Sequence, residues 1–435
     1  MSKSARSTRT TSRRNFIKLA AAGAAGVAGA PWIARNLQAK PAQITLMRES
    51  CYVKEFDEYF QNVMMPAYEK ETGIKINYEI QGAGGAAVAR AVTIVESKAP
   101  VDLMWPQQEW LFRESLLDVS DIAEEAGKQQ GGWYDEIKRL SHWEGKWKSV
   151  PFGNIGQVMA YRRDWFDEVG VKKFPDTWDE FYEAGVKLKA KGHPYGMSMG
   201  HGYADNNSWL LPLLWSYGSE IVAKDGKTIH LDSAETARAV DYARKLYKDA
   251  CIEDCVGWLD PANNKAYLTS QISCTNNASS ILISAKRDLP EMGKVTDEGL
   301  NPKGPKGRFH SLVPVTHCIL SHTPDPAATK AFLRWMMSPK QVSAWYASGF
   351  MYFAPFLHAY DNSPEWNKEP RFKPFQQALD TGKLWMWPAP ADRRAGQVIT
   401  RFVIADLFSK ACLGASTKDV IAEAVTQLKQ IYGQA

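Results

Sequence analysis

The chain is poor in the residues that build disulfide frameworks and metal sites. It contains six cysteines in 435 residues, which are too few and too scattered for a disulfide-built scaffold. No C-x-x-C pair, paired-histidine motif or EF-hand loop occurs in the sequence, so we predict no metal site and no cofactor. Cys251 and Cys255 leave two possibilities open: a disulfide in an oxidising compartment, or two half-buried free thiols, because a continuing helix holds the sulfurs at an unsuitable angle.

A long hydrophobic run is also missing. The apolar stretch from Leu19 to Ile33 is rich in alanine and glycine, and it is too short and too weakly apolar to span a membrane. It follows S-R-R-N-F-I-K at residues 12–18, which is a twin-arginine export pattern. We therefore predict that residues 1–39 are a twin-arginine signal peptide, cleaved after Ala39, and that the mature chain is periplasmic.

Acidic residues are absent from the first 39 positions, which carry seven of the 53 basic residues. The full chain has a formal net charge of +5, but without this segment 46 basic residues remain against 48 acidic ones, a net charge of −2. The basic character thus belongs to the precursor. We predict no nucleic-acid partner and no attraction to anionic membranes for the mature chain.

The order of apolar patterns predicts an α/β fold. With 435 residues and 45% hydrophobic composition, the chain can bury a large core, and we expect two domains. Alternating strand and helix patterns run from residue 43 to residue 105 in the order βαβαβ, which predicts a parallel sheet with right-handed crossovers. Ligands of such sheets lie outside the carboxyl ends of the strands. That rim carries Glu49, Gln81, Trp105 and Gln107.

Three extended apolar runs are interrupted by proline or glycine: residues 150–161, 311–321 and 350–355. Pro151 and Gly153 are poor residues for a central strand, because proline lacks the ladder N–H and glycine has no side chain to pack. We interpret the runs as bent crossings between two discontinuous lobes with a ligand cleft between them. The predicted boundaries are residues 40–154 plus 316–353 for lobe I, and 155–315 plus 354–435 for lobe II.

A helix start is well signalled after the first crossing. Thr177 and Glu180 have the T-x-x-E spacing of a capping box, in which each side chain accepts a hydrogen bond from the other residue's backbone. A helix is therefore predicted to begin at Trp178 and to run to about Lys191.

A serine-hydrolase signature is the most specific catalytic pattern in the chain. Residues 196–200, G-M-S-M-G, match G-x-S-x-G, and His201 follows. A nucleophile elbow needs a strand, a turn and a helix in that order, whereas a polar loop follows here. Glu49 and Asp205 could form a glycosidase pair, but neither lies in a motif. We predict no catalytic residue and no enzyme, with a secreted hydrolase that uses Ser198 as a remote alternative.

The residues around the first crossing carry a family resemblance. G-K-W-K-S-V-P at 145–151 is followed by an apolar strand ending at Tyr161, a basic pair, and P-D-T-W-D-E-F at 175–181. This block resembles the extracellular solute-binding receptors of bacterial ABC importers, in the group that includes maltose-binding protein. The resemblance implies a two-lobed periplasmic-binding-protein fold, with three hinge crossings and closure on a small solute. It also implies delivery of the solute to membrane permease subunits, and we expect a monomer.

The aromatic content favours a sugar as that solute. The chain has 16 tryptophans and 17 tyrosines, and the C–H face of a sugar stacks on aromatic rings while its hydroxyls need amides and carboxylates. The aromatic candidates are Trp105, Tyr203, Trp258, Tyr352, Trp385 and Trp387. The polar candidates are Glu49, Gln81, Gln107, Asn154, His201, Asp205, Asn206, Asn276 and Asn277.

The segment from Tyr267 to Ser279 departs from the family's usual pattern. The family has F-x-x-G-x-A-M followed by G-x-W, whereas this chain has Asn277 and no tryptophan there. We therefore predict a sugar or oligosaccharide, with a polyol, a glycerol phosphate or a polyamine as alternatives. Clustered acids in the cleft would favour a polyamine, and arginine at its rim would favour an anion.

Overall fold

A computed structural model of the protein describes residues 43–82, 85–106 and 108–433. The predicted signal peptide and Gln107 lie outside the described residues. No helix in the described ranges is both long and apolar enough to cross a lipid bilayer. The strands are β1 Gln43–Glu49, β2 Lys75–Gln81, β3 Leu103–Trp105, β4 His142–Trp143, β5 Lys146–Trp147, β6 Val150–Ile155, β7 Val158–Arg162, β8 Cys274–Asn277, β9 Thr296–Gly299, β10 His310–Leu312, β11 Pro314–Ile319, β12 Phe353–Pro355 and β13 Gly382–Leu384.

The helices lie between and around these strands. The α-helices are Lys54–Tyr59, Met65–Thr72, Gly85–Ser97, Ser120–Gln129, Asp135–Ser141, Arg163–Glu168, Trp178–Ala190, Asn207–Tyr217, Ala234–Ala250, Ala262–Leu268, Ser280–Asp288, Pro290–Val295, Pro326–Met336, Pro339–Ser348, Glu365–Lys368, Lys373–Gln377, Arg393–Thr400, Val403–Cys412 and Thr417–Ile431. A π-helical segment, Phe60–Met64, joins the first two. Short 3-10 helices are Glu109–Leu111, Arg113–Ser115, Glu253–Gly257, His358–Tyr360 and Pro370–Phe372.

The largest sheet has six strands in the order β12-β6-β11-β3-β1-β2. β1 pairs in parallel with both β2 and β3, as the βαβαβ pattern predicts, because each connection crosses over through a helix. β11 and β12 return to the same sheet antiparallel to their neighbours. The parallel part of the sheet therefore comes from the N-terminal pattern, and strands distant in sequence complete it.

Two smaller sheets are separate from the six-stranded sheet. They are β8-β7-β9 and the parallel pair β10-β13. Only Gly156 and Gln157 separate β6 from β7, although the two strands belong to different sheets. Likewise, Val313 alone separates β10 from β11. The chain thus passes between sheets inside two of the predicted crossings. Val315 pairs with Gly153 in the six-stranded sheet, so the second change of sheet lies slightly before the boundary predicted at 315/316.

The expectation that Pro151 and Gly153 avoid a central strand is wrong. Both lie in β6, which is paired on both sides, with β11 and with β12. The register shifts between Val315 and Thr316, the partners of Gly153 and Pro151, and such an irregularity tolerates a missing ladder N–H. At Gly153 an added Cβ would lie 2.9 Å from the Cβ of Phe353. Glycine at position 153 therefore allows β12 to approach β6 closely, and it does not mark a bend in the strand.

The predicted capping box is present at the helix Trp178–Ala190. The Glu180 N–H donates to Thr177 Oγ1 over 3.2 Å, and the Thr177 N–H donates to Glu180 Oε2 over 3.2 Å. Replacing Thr177 with alanine should lower the free energy of unfolding by about 1 kcal/mol, measured by urea denaturation. Thr426→Ala, at an exposed position in the last helix, should cost nothing, and equal losses in the two variants would contradict the capping argument.

All six cysteines lie in the described part of the chain, and all are free. Cys251 and Cys255 are both fully buried, so the structure corresponds to the free-thiol possibility. Residues 195–199, which include most of the G-x-S-x-G match, form no strand, and Tyr195 makes only an isolated bridge with Cys251. This segment instead packs as irregular backbone in the core, where Met197 and Met199 are buried.

Candidate functional site

A cavity lies where the end of β1 and the end of β3 meet the first crossing and the end of β8. Its volume is about 50 Å³. The lining residues are Arg48, Glu49, Ser50, Cys51, Tyr52, Trp105, Ile155, Gln157, Tyr203, Ala204, Asp205, Asp260, Asn264, Asn277, Ala278, Ser280, Tyr352 and Phe353. Both main sheets contribute to this lining, as expected for a cleft between two lobes. Six of the predicted site residues are brought together here: Glu49, Trp105, Tyr203, Asp205, Asn277 and Tyr352.

Three predicted asparagines have structural partners away from the cavity lining. Asn154 is buried in β6, where its Oδ1 accepts a hydrogen bond of 2.7 Å from the Val313 N–H. Asn206 donates from its side chain to the Gly200 carbonyl over 2.7 Å. Asn276 donates to another buried amide. These side chains hold the crossing and the loops that surround the cavity, and they do not face it.

The three later tryptophans also lie outside the cavity lining. Trp258 packs over Gly196, where an added Cβ would lie 2.7 Å from the indole ring. Trp385 is buried with its ring 5.4 Å from that of Tyr203, and Trp387 lies 5.8 Å from Phe309. Trp385, one of the aromatic candidates, therefore supports the cavity wall through Tyr203.

Two polar candidates also stand beside the cavity rather than in its lining. Gln81 ends β2, and its carbonyl accepts a hydrogen bond of 2.8 Å from the Ser50 N–H. His201 stacks on Phe402 with ring centroids 4.4 Å apart and lies 2.6 Å from an Asp406 carboxylate oxygen. Both residues therefore border the region, whereas Gln107 lies outside the described residues.

Asp205 is the centre of a buried hydrogen-bond network in the cavity. Gln157 Nε2 donates to Asp205 Oδ1 over 3.1 Å, and Asn277 Nδ2 donates to Asp205 Oδ2 over 3.4 Å. The neighbouring Asp260 carboxylate accepts hydrogen bonds of 2.6, 3.1 and 3.1 Å from the backbone N–H groups of residues 203–205. Asp260 thus fixes the loop that presents Asp205.

The proximity of Asp260 alters the protonation of Asp205. Burial, together with the charge of Asp260, raises the pKa of Asp205 to about 8, because both effects disfavour a second negative charge. Titratable groups with strongly perturbed pKa values concentrate at functional sites. Asp205 is therefore the strongest single candidate for a ligand contact.

The one arginine among the described lining residues is already paired. Arg48 is 1% exposed, and its Nη2 donates to Asp57 Oδ1 over 2.7 Å. Its guanidinium carbon lies 3.8 Å from the centroid of a Trp105 ring, and His317 also stacks on Trp105. The Trp105 ring, predicted to stack on a sugar, is thus engaged by protein groups.

Sequence reasoning did not single out several of the lining residues. These are Tyr52, Gln157, Asp260, Asn264 and Ser280. The available signal for Gln157 was its position inside the first crossing, since a residue between two lobes faces the cleft. Asp260 had no such signal, because its role depends on the distant loop 203–205.

The hydrolase pattern lacks the geometry of an elbow. Ser198 is buried in irregular backbone, and its Oγ has no hydrogen-bond partner among the described residues. A serine nucleophile needs a base within hydrogen-bond reach, whereas His201 is bonded to Asp406. Within the ranges that the structure describes, no group of three or more histidine, cysteine or acidic side chains is placed to hold a metal ion.

Comparisons with known proteins identify similar chains. A family model described as bacterial extracellular solute-binding protein matches residues 53–343. A putative binding protein of Brucella abortus is 25% identical over 200 residues, which are 45% of this chain and 47% of that protein. The diacetylchitobiose binding protein DasA of Streptomyces coelicolor is 26% identical over 166 residues, 37% of each chain. This chain thus spans about half the length, or less, of these two curated relatives.

Solved structures confirm the predicted fold class. A maltose-bound protein of T. maritima, MalE3, superimposes with a TM-score of 0.78 at 17% identity, and the match covers 90% of this chain and 100% of that one. At this level of identity the likeness shows the fold alone. The α/β chain has the predicted two-lobed arrangement.

Proposed function

This chain belongs to the bacterial extracellular solute-binding proteins, and from that membership we propose that it is the periplasmic receptor of an ABC importer for a small polyhydroxylated solute. The two lobes would close on a sugar or polyol and present it, chemically unchanged, to membrane permease subunits. One observation carries the proposal: the buried polar network of Asp205, Gln157 and Asn277 lies in a cavity lined from both sheets.

The size of the cavity favours a small ligand. One ordered water needs about 10–15 Å³ of cavity volume, so about 50 Å³ corresponds to roughly three to five water molecules. A polyol or a monosaccharide matches that space more closely than a long oligosaccharide does. We therefore propose a polyol or a monosaccharide in preference to an oligosaccharide.

The chemistry of the lining suits hydroxyl groups. Carboxylates accept hydrogen bonds and amides both donate and accept them, and Asn264 and Asn277 supply two amides beside the acids. Tyr203 and Tyr352 add ring surface for the C–H side of such a solute. A polyhydroxylated molecule can therefore form hydrogen bonds with the acids and amides and pack its C–H groups against the tyrosine rings.

The same lining disfavours a phosphorylated solute. Glu49, Asp205 and Asp260 line the cavity, and Arg48 is neutralised by Asp57. An anion would meet the Glu49 and Asp260 carboxylates and the Asp205 acid, while the one arginine among the described lining residues is already paired, and like charges at close range are costly in a buried site. Glycerol phosphate, one of the alternatives that the sequence left open, is thus the least compatible with the cavity.

A ligand panel tests the proposal. We expect some tetritols, pentitols or monosaccharides to raise the melting temperature of the purified protein, because a ligand at a hundred times its dissociation constant adds about 2.7 kcal/mol of stability. sn-Glycerol 3-phosphate should leave it unchanged. A shift produced by the phosphate ester alone, or by no sugar or polyol at all, would contradict the proposal.

A matched pair of variants ties binding to the cavity. Gln157→Met removes an amide that lines the cavity and orients Asp205, and we expect it to weaken binding of the ligand found in the panel by about tenfold, since a polar group of the ligand left without its partner costs about 1–3 kcal/mol. Gln427→Met, in the last helix and remote from the cavity lining, should bind as the parent does. Calorimetry measures both affinities.

A further inference from the structure

A second, smaller cavity adjoins the ligand cavity at the end of β3. Its volume is about 10 Å³, close to the space of about 10–15 Å³ that one ordered water needs. Glu49 and Trp105 line both cavities, so the two lie side by side. The rest of the lining of the small cavity is apolar except for Gln108. Gln108 is thus the polar residue that the small cavity does not share with the ligand cavity.

The side chain of Gln108 is buried, and its amide is unpaired. The residue is 1% exposed, and neither its Nε2 nor its Oε1 has a hydrogen-bond partner among the described residues. Buried polar atoms in native proteins are nearly always hydrogen-bonded, because desolvation without a new partner is unfavourable. An amide that is free at both of its polar ends therefore indicates that a bound molecule supplies the partner.

Tyr203 connects this amide to the ligand cavity, which it lines. Burial raises the pKa of the Tyr203 hydroxyl, and the neighbouring Gln108 side chain opposes that shift. Even so, the hydroxyl has no partner with hydrogen-bond geometry in the part of the chain that the structure describes. Unpaired polar atoms therefore extend from the wall of the ligand cavity to the wall of the small cavity.

The two free ends of the amide select the kind of group that can pair with them. Nε2 needs an acceptor and Oε1 needs a donor, and a cavity with room for about one water molecule admits only one polar group. A hydroxyl both donates and accepts, whereas an ammonium has no acceptor and an ionised carboxylate has no donor. The small cavity therefore favours a hydroxyl over a charged group.

We infer that the small cavity takes a terminal hydroxyl of the solute, and that Gln108 determines specificity for solutes that end in a hydroxymethyl group. The rest of the solute lies in the ligand cavity beside Asp205, Gln157 and Asn277. A cavity of this size admits one projecting hydroxyl and excludes a sugar ring or a carbon chain, and a hydroxymethyl group projects by one carbon from either. This inference rests on the proposed function, because it names the part of the solute that the receptor recognises.

Pairs of solutes that differ in one terminal hydroxyl test the inference. The pairs are D-glucose with 6-deoxy-D-glucose, D-galactose with 6-deoxy-D-galactose, and erythritol with 1,2,3-butanetriol, titrated calorimetrically into the full protein at pH 7. We expect the member with the additional hydroxyl to bind at least about tenfold more tightly in at least one pair, because the deoxy member leaves the buried Gln108 amide unpaired.

A variant of Gln108 distinguishes recognition from a structural role. Gln108→Met keeps the length of the side chain and removes the amide, so we expect it to abolish the preference by weakening the binding of the hydroxylated member. Because the amide has no partner among the described residues, the urea midpoint of the unliganded variant should equal or exceed that of the parent. Gln427→Met, in the last helix and outside the lining of both cavities, should keep the preference.

The possible results separate this inference from the proposed function. Equal binding within every pair, or tighter binding of every deoxy member, would assign the small cavity to an ordered water and overturn the inference, while the receptor function stands. A preference that persists in Gln108→Met, or a lower urea midpoint of that variant, overturns the role of Gln108 in specificity. If the variant does not fold, the pairs titrated into the parent decide the inference.

A complete absence of binding also has a definite meaning. If no member of any pair binds, the inference is overturned, because every pair includes a solute with a terminal hydroxymethyl group. The receptor function is overturned with it only when the remaining sugars and polyols of the panel fail as well.

Discussion

Replacing Asp57 with asparagine should lower the free energy of unfolding by about 3–5 kcal/mol, because it leaves the buried Arg48 charge uncompensated. Arg48 is 1% exposed, and its Nη2 donates to Asp57 Oδ1 over 2.7 Å. The rings of Phe56 and Trp105 lie against the guanidinium, so little water can replace the carboxylate. Asparagine keeps an oxygen for the Cys51 N–H, which donates to Asp57 over 2.8 Å, but its NH2 group then faces Arg48, so the variant removes both the charge and the hydrogen bond of the pair.

An exposed ion pair in the same lobe provides the control. Arg90 and Glu79 lie 3.4 Å apart with side chains 36% and 32% exposed, and such pairs contribute about 0.2–1 kcal/mol. Glu79→Gln should therefore cost less than about 1 kcal/mol in the same urea titration. Equal losses in the two variants would show that burial of the Arg48 pair is energetically unimportant.

A double substitution distinguishes a missing charge from damaged packing. Replacing a buried ion pair by apolar residues of similar volume is often neutral or stabilising. Arg48→Met combined with Asp57→Leu should therefore recover most of the stability that Asp57→Asn loses. A double variant as unstable as the single one would indicate that the pair acts through shape rather than charge.

Asp205→Asn should change the pH dependence of stability more than any other single substitution in the cavity. The pKa of Asp205 is raised from 3.8 to about 8 by burial and by Asp260. Between about pH 4 and pH 8 the unfolded chain has therefore released this proton while the folded protein retains it. Because the unfolded state binds fewer protons, stability falls as the pH rises through this window.

The variant has no proton to release at this position. Its stability relative to the parent should rise by up to about 1.4 kcal/mol for each pH unit across the window, reaching several kcal/mol at pH 8. Gln157 can turn its side chain so that its unpartnered oxygen accepts a hydrogen bond from the amide that the substitution introduces, which limits the local cost. Binding of the solute should weaken in the same variant, because the acid contacts it in the proposed complex.

Urea denaturation at pH 4.5, 6 and 8, without added solute, measures this effect. Asp232→Asn, an exposed acid remote from the cavity lining, should follow the pH profile of the parent. Parallel profiles for Asp205→Asn and the parent would mean that Asp205 ionises normally in the folded protein.

Local signals predicted local structure well. The T-x-x-E spacing at Thr177 placed a helix start that the structure contains, because a capping box involves only residues within one turn. The alternating patterns from residue 43 to residue 105 likewise predicted the parallel strands β1, β2 and β3. Such signals are reliable because the residues that interact with one another are close together in the sequence.

The errors came from residues whose environment is set by distant strands. Pro151 and Gly153 suggested an irregular bend, but β11 and β12 pair on either side of them. Trp385 was a candidate for stacking on the solute, yet its ring is buried beside Tyr203. In both cases the local composition is indeed unusual, and the reason for it lies in packing partners far away in sequence.

The amino-acid sequence by itself determined the α/β class, because hydrophobic periodicity and turn residues act over a few positions, and its resemblance to a receptor family implied the two-lobed fold. Only the tertiary structure decided which polar side chains share the cavity. Asp205, Gln157 and Asp260 come from separate segments, and they meet because both lobes pack around the crossings and Asp260 binds the backbone of the 203–205 loop. Contacts of that kind depend on the relative placement of whole elements, which no local pattern encodes.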